Sequence, residues 1–366
     1  MRSSFQMVTP VSSTSSFDTW IWQTESWQSL WKAYGMNAWT VGLAEGDDLR
    51  SYALLQESSP LTMSTYWGRS AHWVDRLTIK GFKSLEVLNG PVVLNPEVAE
   101  DIHQAFSEYL ASLQDKQRYY SVVVRPTYFS EGPSLEALET IYGSHGFVAE
   151  RHHTFVARTS GSLGEIRKRI ASKRRTKVNK ARREGVIVDA VSGHEGVERY
   201  WKVRCENWKR NGQEIVPLKH FIDTWDVLWR DSATQIFIAR KDDHDLAAQT
   251  LFTCGKDIAL VGVAVSDYSI SNSLPGNDYL QWYVLKWAHE NGFANVDYVG
   301  ATPDTDDPKL RGIHSFKKSW GGELIEHVVF RRVRNNLLSR LKQLLDDPVL
   351  AAKALIRRAR QMMGRG

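Results

Sequence analysis

One short segment of this sequence has a charge pattern that by itself suggests chemistry. Ten of the seventeen residues from Arg167 to Arg183 are Lys or Arg, and none is acidic. Like charges one helical turn apart repel each other by roughly a few tenths of a kcal/mol, and a bound polyanion would relieve that repulsion. The segment therefore predicts phosphate binding, and a solvated basic helix face explains the charge equally well. The residues that we expect to hold phosphate are Lys173, Arg174, Arg175 and Lys177.

Acidic residues are the second group that could take part in chemistry. Asp297 falls near the end of a short predicted strand, where it is either a buried hydrogen-bonded carboxylate or a ligand of a substrate amine. Asp304, Asp306 and Asp307 follow in a loop that lacks the glycine turn and the distal glutamate of a calcium site. We therefore predict no metal site.

Composition excludes several protein classes. The chain has 366 residues, of which 42% are hydrophobic and 24% charged, so a folded protein of about two domains is expected. Two cysteines are too few for a disulfide scaffold or a four-cysteine zinc site. There is no apolar run of the roughly 18 residues that a membrane-spanning helix needs, and the first residues do not resemble a signal peptide. We expect a cytoplasmic protein.

The elements around the basic segment alternate between strands and helices. Two predicted strands, Ala38–Leu43 and Arg50–Glu57, precede an amphipathic helix over Pro96–Leu113, and the second half repeats this alternation. Ser162 and Glu165 form a capping-box pattern that predicts the start of the basic helix. This alternation predicts an α/β fold.

The pattern also predicts a division of the chain. Residues 331–366 contain ten Lys or Arg and only two acids, which predicts basic amphipathic helices at the C-terminal end. The predicted parts are a disordered segment 1–16, a first domain 17–158, a second domain 159–333 that begins with a basic helix over 162–184, and a basic tail 334–366.

Several weak motifs occur in an order that resembles a known family. Gly146-Phe147 is followed by Thr154, and the basic helix contains Arg174-Arg175 before Gly185-Val186. The later motifs are Leu280-Gln281-Trp282, Ala288, Gly292, Asp297, Gly300, Gly312-Ile313, Phe316-Lys317 and Gly321-Gly322. Together they resemble the Fem-type peptidoglycan-bridge aminoacyltransferases and their CelD-like acyltransferase relatives in the N-acetyltransferase-like (GNAT) superfamily.

The resemblance implies a fold and a set of site residues. It implies two tandem GNAT-like domains with mixed central sheets flanked by helices, and amide formation by acyl transfer. Lys317 would stabilise the oxyanion of the tetrahedral intermediate, Phe316 would pack beside it, and Asp297 would complete the catalytic set. We expect Lys180, Trp282 and Arg311 to add to the substrate- and phosphate-binding surface.

The acyl donor is left open between two classes. The sequence lacks the Gln/Arg-x-x-Gly-x-Gly/Ala loop that usually holds the pyrophosphate of acetyl-CoA in this superfamily. We therefore expect no cofactor, aminoacyl-tRNA as the donor and an amine of a cell-envelope precursor as the acceptor. The alternatives are a CoA-dependent N-acyltransferase acting on a polysaccharide or amino sugar, and a non-catalytic protein that binds polyanions. We expect the C-terminal tail to pack on the body with a solvated basic face. Contact with RNA, or with an anionic membrane surface at the inner face of the membrane, is the alternative hypothesis.

Overall fold

The computed structural model describes residues 5–8, 21–58, 83–117, 119–128, 132–228 and 234–334. The strands of these ranges are β1 Gln6–Val8, β2 Ala38–Glu45, β3 Asp48–Ser58, β4 Ser84–Leu88, β5 Val92–Val93, β6 Ser121–Arg125, β7 Val148–Arg158, β8 Ile187–Val191, β9 Thr234–Lys241, β10 His244–Cys254, β11 Asp257–Val265, β12 Asn295–Asp297 and β13 Glu323–Val333.

Helices flank these strands. They are α1 Glu25–Ala33, α2 Ala99–Gln117, α3 Leu135–Ser144, α4 Leu163–Arg169, α5 Ser172–Arg183, α6 Gly193–Arg210, α7 Leu218–Leu228, α8 Asp267–Ser271, α9 Gly276–Glu290 and α10 Pro308–Lys318, with short 3₁₀ turns at Ile21–Gln23 and Pro96–Val98. The expected α/β class with a mixed sheet and flanking helices is confirmed.

The strands form one continuous sheet in the order β1-β2-β3-β4-β6-β13-β7-β12-β11-β10-β9-β8, with β5 beside β3. In the first half, β2, β3 and β4 are antiparallel, and α2 leads to β6, which runs parallel to β4. In the second half, β9, β10 and β11 are antiparallel, and α8 and α9 lead to β12, which runs parallel to β11. The two halves therefore repeat the same order of elements.

The halves exchange their last strands. β7 follows the first half along the chain but pairs with β12 of the second half. β13 follows the second half but pairs with β6 of the first half and with β7. The predicted boundary between residues 158 and 159 therefore falls at the end of β7, inside a sheet that continues across it. Periodicity indicates where a strand lies but not which strand it pairs with.

The second half has a core between α9 and the sheet. Leu280, Val284 and Ala288 recur every fourth residue on α9, so all three point to the same side of the helix. All three are fully buried and belong to one apolar cluster with the sheet residues Phe237 and Ile258. This packing fixes the position of the N-terminal turn of α9, which borders the cavities described below.

Three predicted segments differ from the structure or lie outside it. Residues 6–8 of the segment predicted to be disordered form β1, because their backbone pairs with β2. The predicted single basic helix is two helices: Ile170 is extended and buried, and the Ala171 N–H donates to Ser319 O at 2.9 Å instead of continuing the helix. The remaining residues of segment 1–16, apart from residue 5, and residues 335–366 of the predicted tail lie outside the described ranges.

Candidate active site

The short strand β12 lies beside only the beginning of β11. Asp257–Ala259 of β11 pairs in parallel with Asn295–Asp297, and within the described chain this pairing extends no further. Further along, β11 has a bulge at Gly262, and the chain after β12 turns away at Val299. A cavity of about 600 Å³, here called the wedge cavity, lies between these segments and α10.

The bulge requires glycine at position 262. Gly262 has a φ of +72°, and a Cβ built there would lie 2.2 Å from the Tyr200 hydroxyl oxygen. That hydroxyl donates to the Gly262 carbonyl oxygen at 2.8 Å. Any L side chain at position 262 would be strained and would collide with Tyr200. Glycine at this position therefore preserves one wall of the wedge cavity.

Lys317 lies in the last turn of α10 and lines the wedge cavity. Its Nζ donates to the carbonyl oxygens of Val299 at 2.6 Å and Gly300 at 2.5 Å. Burial lowers the pKa of this lysine, and the nearby Asp297 carboxylate opposes that change. An ammonium has three N–H bonds, so the two carbonyls fix its direction and leave one donor for a substrate oxygen.

Asp297 is a buried carboxylate whose two oxygens both accept hydrogen bonds from the protein. Oδ1 accepts from the Val299 N–H at 2.9 Å and from the Thr154 hydroxyl, while Oδ2 accepts from the Tyr128 hydroxyl. Burial raises the pKa of Asp297, and these hydrogen bonds act in the opposite direction. Of the two sequence-based interpretations, the geometry favours a buried hydrogen-bonded carboxylate over a ligand of a substrate amine.

The turn at Val299 and Gly300 depends on this network. Val299 is β-branched and has a φ of +48°, a conformation that costs about 1 kcal/mol or more for such a residue. Its N–H is held by Asp297, and the Gly300 N–H donates to Thr154 Oγ1 at 3.2 Å. Asp297 and Thr154 therefore stabilise the strained turn whose carbonyls orient Lys317.

A second cavity of about 420 Å³, here called the central cavity, lies on the other side of this turn. Its walls come from both halves of the sheet and include Arg125 of β6, His152 and His153 of β7 and His327 of β13. Burial, helped by nearby His152, His153 and Arg125, lowers the pKa of His327 to about 4. Val299 lines both cavities, so the turn that holds Lys317 forms a wall of each.

A third cavity, of about 510 Å³ and here called the basic cavity, adjoins the wedge cavity and shares Asn277 and Phe316 with it. It opens at the N-terminal turn of α9 and is lined by Arg174, Lys177 and Lys180 of α5. A helix N-terminus with adjacent cations attracts phosphate.

Internal partners already engage part of this charge. Arg174 donates to Asp278 at 2.8 Å and lies 4.5 Å from the centre of the Phe316 ring. The Lys177 ammonium is 3.9 Å from the Asp278 carboxylate, and Lys180 donates to Ser273 O at 3.0 Å. Arg174 is thus tied to the cavity wall, whereas the more exposed Lys177 has only a distant partner among the residues that the structure describes.

The structure gathers some of the predicted site residues and leaves others apart. Arg174, Lys177, Lys180, Phe316 and Lys317 line the wedge and basic cavities, and Asp297 lies beneath the turn that faces them. Four predicted binding residues line none of the three cavities: Lys173, Arg175, Trp282 and Arg311.

Local geometry explains two of those four positions. Arg175 Nη1 donates to the Arg167 carbonyl at 3.4 Å and the Lys168 carbonyl at 3.5 Å, at the C-terminal end of α4. Trp282 packs against the core and lies under the Arg167 guanidinium, 5.3 Å from its ring centre. Because the helix is broken at Ile170, the C-terminal end of α4 lies against α5. These contacts could not form in a single continuous helix.

Sequence analysis missed several polar residues that line these cavities. Tyr128 and His327 come from loops and strands of the first half of the sheet, and their rings stack with centres 4.6 Å apart. Gln249 and Gln281 lie in a buried strand and a buried helix. Gln249 directly follows the apolar residues 246–248, and this position inside a predicted strand is the signal that could have identified it.

Two broader searches add to this description. Among the residues that the structure describes, no cluster of His, Cys, Asp and Glu could hold a metal ion. No helix in the same residues combines the length and apolar character needed to cross a membrane.

Comparisons with known proteins agree with the geometry. Residues 166–318 match the family described as the acetyltransferase (GNAT) domain. Residues of this chain are 32% identical over 113 positions to a lipid II:glycine glycyltransferase of Staphylococcus epidermidis, which covers 30% of this chain and 26% of that protein. A relative with the same name from Staphylococcus haemolyticus is 30% identical over 142 positions, covering 35% and 33% respectively. The chain thus spans about a quarter to a third of these curated relatives.

Solved structures share the fold over most of the chain. The crystal structure of FemX covers 89% of this chain and 94% of its own, with a TM-score of 0.70 and 15% identity. The C-terminal domain of a putative lysylphosphatidylglycerol synthetase from Agrobacterium fabrum covers 79% and 83%, with a TM-score of 0.50 and 12% identity. The fold of this chain therefore occurs in other proteins.

Proposed function

We propose that this chain, an acyltransferase with a GNAT domain and Fem-type relatives, transfers an aminoacyl group from aminoacyl-tRNA to an amine of a peptidoglycan or other cell-envelope precursor. One observation carries the proposal: the Lys317 ammonium lines the wedge cavity and is held by Val299 O and Gly300 O, in the turn whose other side lines the central cavity. A cation fixed between two cavities suits a reaction that joins two separately bound substrates.

The chemistry follows from that position. In the proposal, the donor ester lies in the wedge cavity and the acceptor amine enters through the central cavity. The amine nitrogen attacks the ester carbonyl, and the third N–H of Lys317 stabilises the oxyanion of the tetrahedral intermediate. The new C–N bond replaces the C–O bond to the 3′ oxygen of the tRNA, and this oxygen leaves with the proton that the amine loses. No enzyme nucleophile is needed.

The basic cavity supports a donor with several phosphates. It shares Asn277 and Phe316 with the wedge cavity, so phosphates bound in one would lie next to an acyl group bound in the other. Lys177 and Lys180 would neutralise phosphates there, with the N-terminal turn of α9 adding partial positive charge. The names of the staphylococcal relatives support a lipid-linked cell-wall precursor as the acceptor.

A second candidate is a CoA-dependent N-acyltransferase. It is favoured by the match of residues 166–318 to an acetyltransferase domain and by the wedge cavity between two diverging parallel strands. Against it, the loop from α8 to α9 contains no glycine before Gly276, and Pro275 precedes that helix without a side-chain cap. This loop offers few free N–H groups to a pyrophosphate. The third reading, a protein that only binds polyanions, predicts no transfer from any donor.

A transfer assay distinguishes these candidates. The purified chain is given radiolabelled glycyl-tRNA or acetyl-CoA, with either a peptidoglycan precursor that carries a lysine side-chain amine or glucosamine as acceptor. We expect label to move from glycyl-tRNA to the precursor. Transfer from acetyl-CoA alone would replace the proposal with the second candidate. Binding of tRNA without transfer from either donor would favour the non-catalytic reading.

A further inference from the structure

One side chain in the wedge cavity has an unused hydrogen-bond acceptor. Gln281, in the second turn of α9, lines this cavity and has only 1% of its surface exposed. Its Oε1 has no hydrogen-bond partner among the described residues. A buried amide oxygen without a donor is unfavourable, and at the wall of a cavity it indicates that a ligand supplies the donor.

The direction of this amide is set by the residues around it. Gln249 Nε2 donates to the backbone carbonyls of Thr250 at 2.7 Å and Val261 at 3.0 Å, so its Oε1 must point the other way. Gln281 Nε2 donates to that Oε1 at 3.2 Å and to Asn277 Oδ1 at 3.4 Å. A flipped Gln281 would place its oxygen against Gln249 Oε1. The backbone carbonyls therefore make the end of Gln281 that has no partner among the described residues an acceptor.

A second polar atom without a partner lines the same cavity. The Tyr298 hydroxyl has no hydrogen-bond partner among the described residues, and the side chain is 6% exposed. Burial raises the pKa of this tyrosine, so its hydroxyl keeps its proton and can donate. The wedge cavity thus offers an acceptor at Gln281, a donor at Tyr298 and the ammonium of Lys317.

We infer that Gln281 and Tyr298 select an α-amino acid ester as the donor: Gln281 Oε1 accepts from the α-amino group, and the Tyr298 hydroxyl donates to the ester oxygen atoms. This inference rests on the proposed function and names its donor more narrowly. A simple acyl group such as acetyl has no N–H for Gln281 and leaves that oxygen unpaired. The site therefore discriminates between aminoacyl and acyl esters attached to the same carrier.

The test compares two donors that differ only in the amino group. A short RNA hairpin with the tRNA acceptor end carries either a glycyl or an acetyl ester, and kcat/KM is measured for transfer to the precursor amine. We expect wild type to prefer the glycyl ester by about tenfold or more. The preference should fall to about twofold or less in Gln281→Met, and should persist in the matched control Gln213→Met, whose glutamine is exposed.

Tyr298→Phe provides a second variant, because it removes only one hydroxyl oxygen and preserves the shape of the core. It should lower kcat/KM for both esters by about tenfold, since both carry the ester oxygens. Equal use of both esters by wild type, or a preference that survives in Gln281→Met, would overturn the inference while transfer itself remains. Absence of transfer from either ester would remove the proposed function and the inference with it.

Discussion

Asp297 and Lys317 are joined through one residue, Val299. The Val299 N–H donates to Asp297 Oδ1 at 2.9 Å, and the Val299 carbonyl oxygen accepts from Lys317 Nζ at 2.6 Å. The carboxylate therefore acts on the ammonium in two ways, through its charge and by fixing the backbone that holds the ammonium. This relationship assigns different roles to two residues that the sequence placed in one catalytic set.

The first prediction concerns Lys317. In Lys317→Met, kcat should fall by about 100-fold or more, because loss of one oxyanion donor typically costs that much. KM should change little, since the interaction forms in the transition state. Lys318→Met is the matched control: it removes the same charge from the next, exposed position and should retain kcat within about twofold. Steady-state transfer kinetics with both variants check this, and equal losses in the two would count against the assigned role.

The second prediction concerns the support of the turn. Thr154→Val removes the hydroxyl that donates to Asp297 and accepts from the Gly300 N–H, with little change in volume. We expect the free energy of unfolding to fall by about 1–3 kcal/mol and kcat to fall about tenfold with an unchanged KM. Urea unfolding and transfer kinetics measure both. Thr140→Val, on an exposed helix position, should change neither. A stability loss without a change in kcat would limit Thr154 to a purely structural role.

The third prediction separates the basic cavity from the rest of the basic segment. Lys177→Ala/Lys180→Ala removes the two lysines that line the cavity, whereas Lys168→Ala/Lys173→Ala removes the same charge elsewhere. Affinity for the RNA hairpin should fall in the first variant, and the slope of log K against log salt should become shallower by about 1.4, or 0.7 for each lost phosphate contact. Fluorescence anisotropy at about 50 to 200 mM KCl measures the affinity and its salt dependence. Equal losses in both variants would indicate diffuse attraction only.

The fourth prediction concerns acid stability. His103 is buried in the first half, where its Nδ1 lies 3.1 Å from the Tyr142 hydroxyl, and burial lowers its pKa from 6.5 to about 4. Because the unfolded state binds the proton more readily, this residue reduces stability as pH falls from about 6.5 to about 4. Between pH 7.5 and 5, the loss of unfolding free energy should be about 2 kcal/mol smaller in His103→Gln than in wild type.

Urea unfolding at the two pH values checks the fourth prediction. His194→Gln is the control, since His194 is exposed and interacts with Asp226 at the surface. That variant should keep the pH dependence of wild type. If His103→Gln also keeps the wild-type pH dependence of stability, a group other than His103 causes the loss between these two pH values.

Local features of the sequence were enough to predict the α/β class and many elements. Alternation predicted the strands near 38–43 and 50–57, which the structure has as Ala38–Glu45 and Asp48–Ser58. The order of motifs singled out Phe316 and Lys317, and the basic composition singled out α5. Propensity, periodicity and charge are properties of neighbouring residues, so a sequence shows them directly.

The parts of the fold and of the candidate site that the sequence did not predict depend on contacts between distant parts of the chain. The exchange of β7 and β13, the pairing of Arg174 with Asp278 and the chain of amides from Val261 to Gln281 join residues far apart in sequence. The same contacts decide which cations of the basic segment reach a cavity and which do not. Strand partners and buried hydrogen bonds are chosen by the packing of the whole sheet. The sequence by itself therefore determined the local elements and part of the candidate site. The tertiary structure alone decided which residues meet, because pairing is a property of distance in space rather than of spacing along the chain.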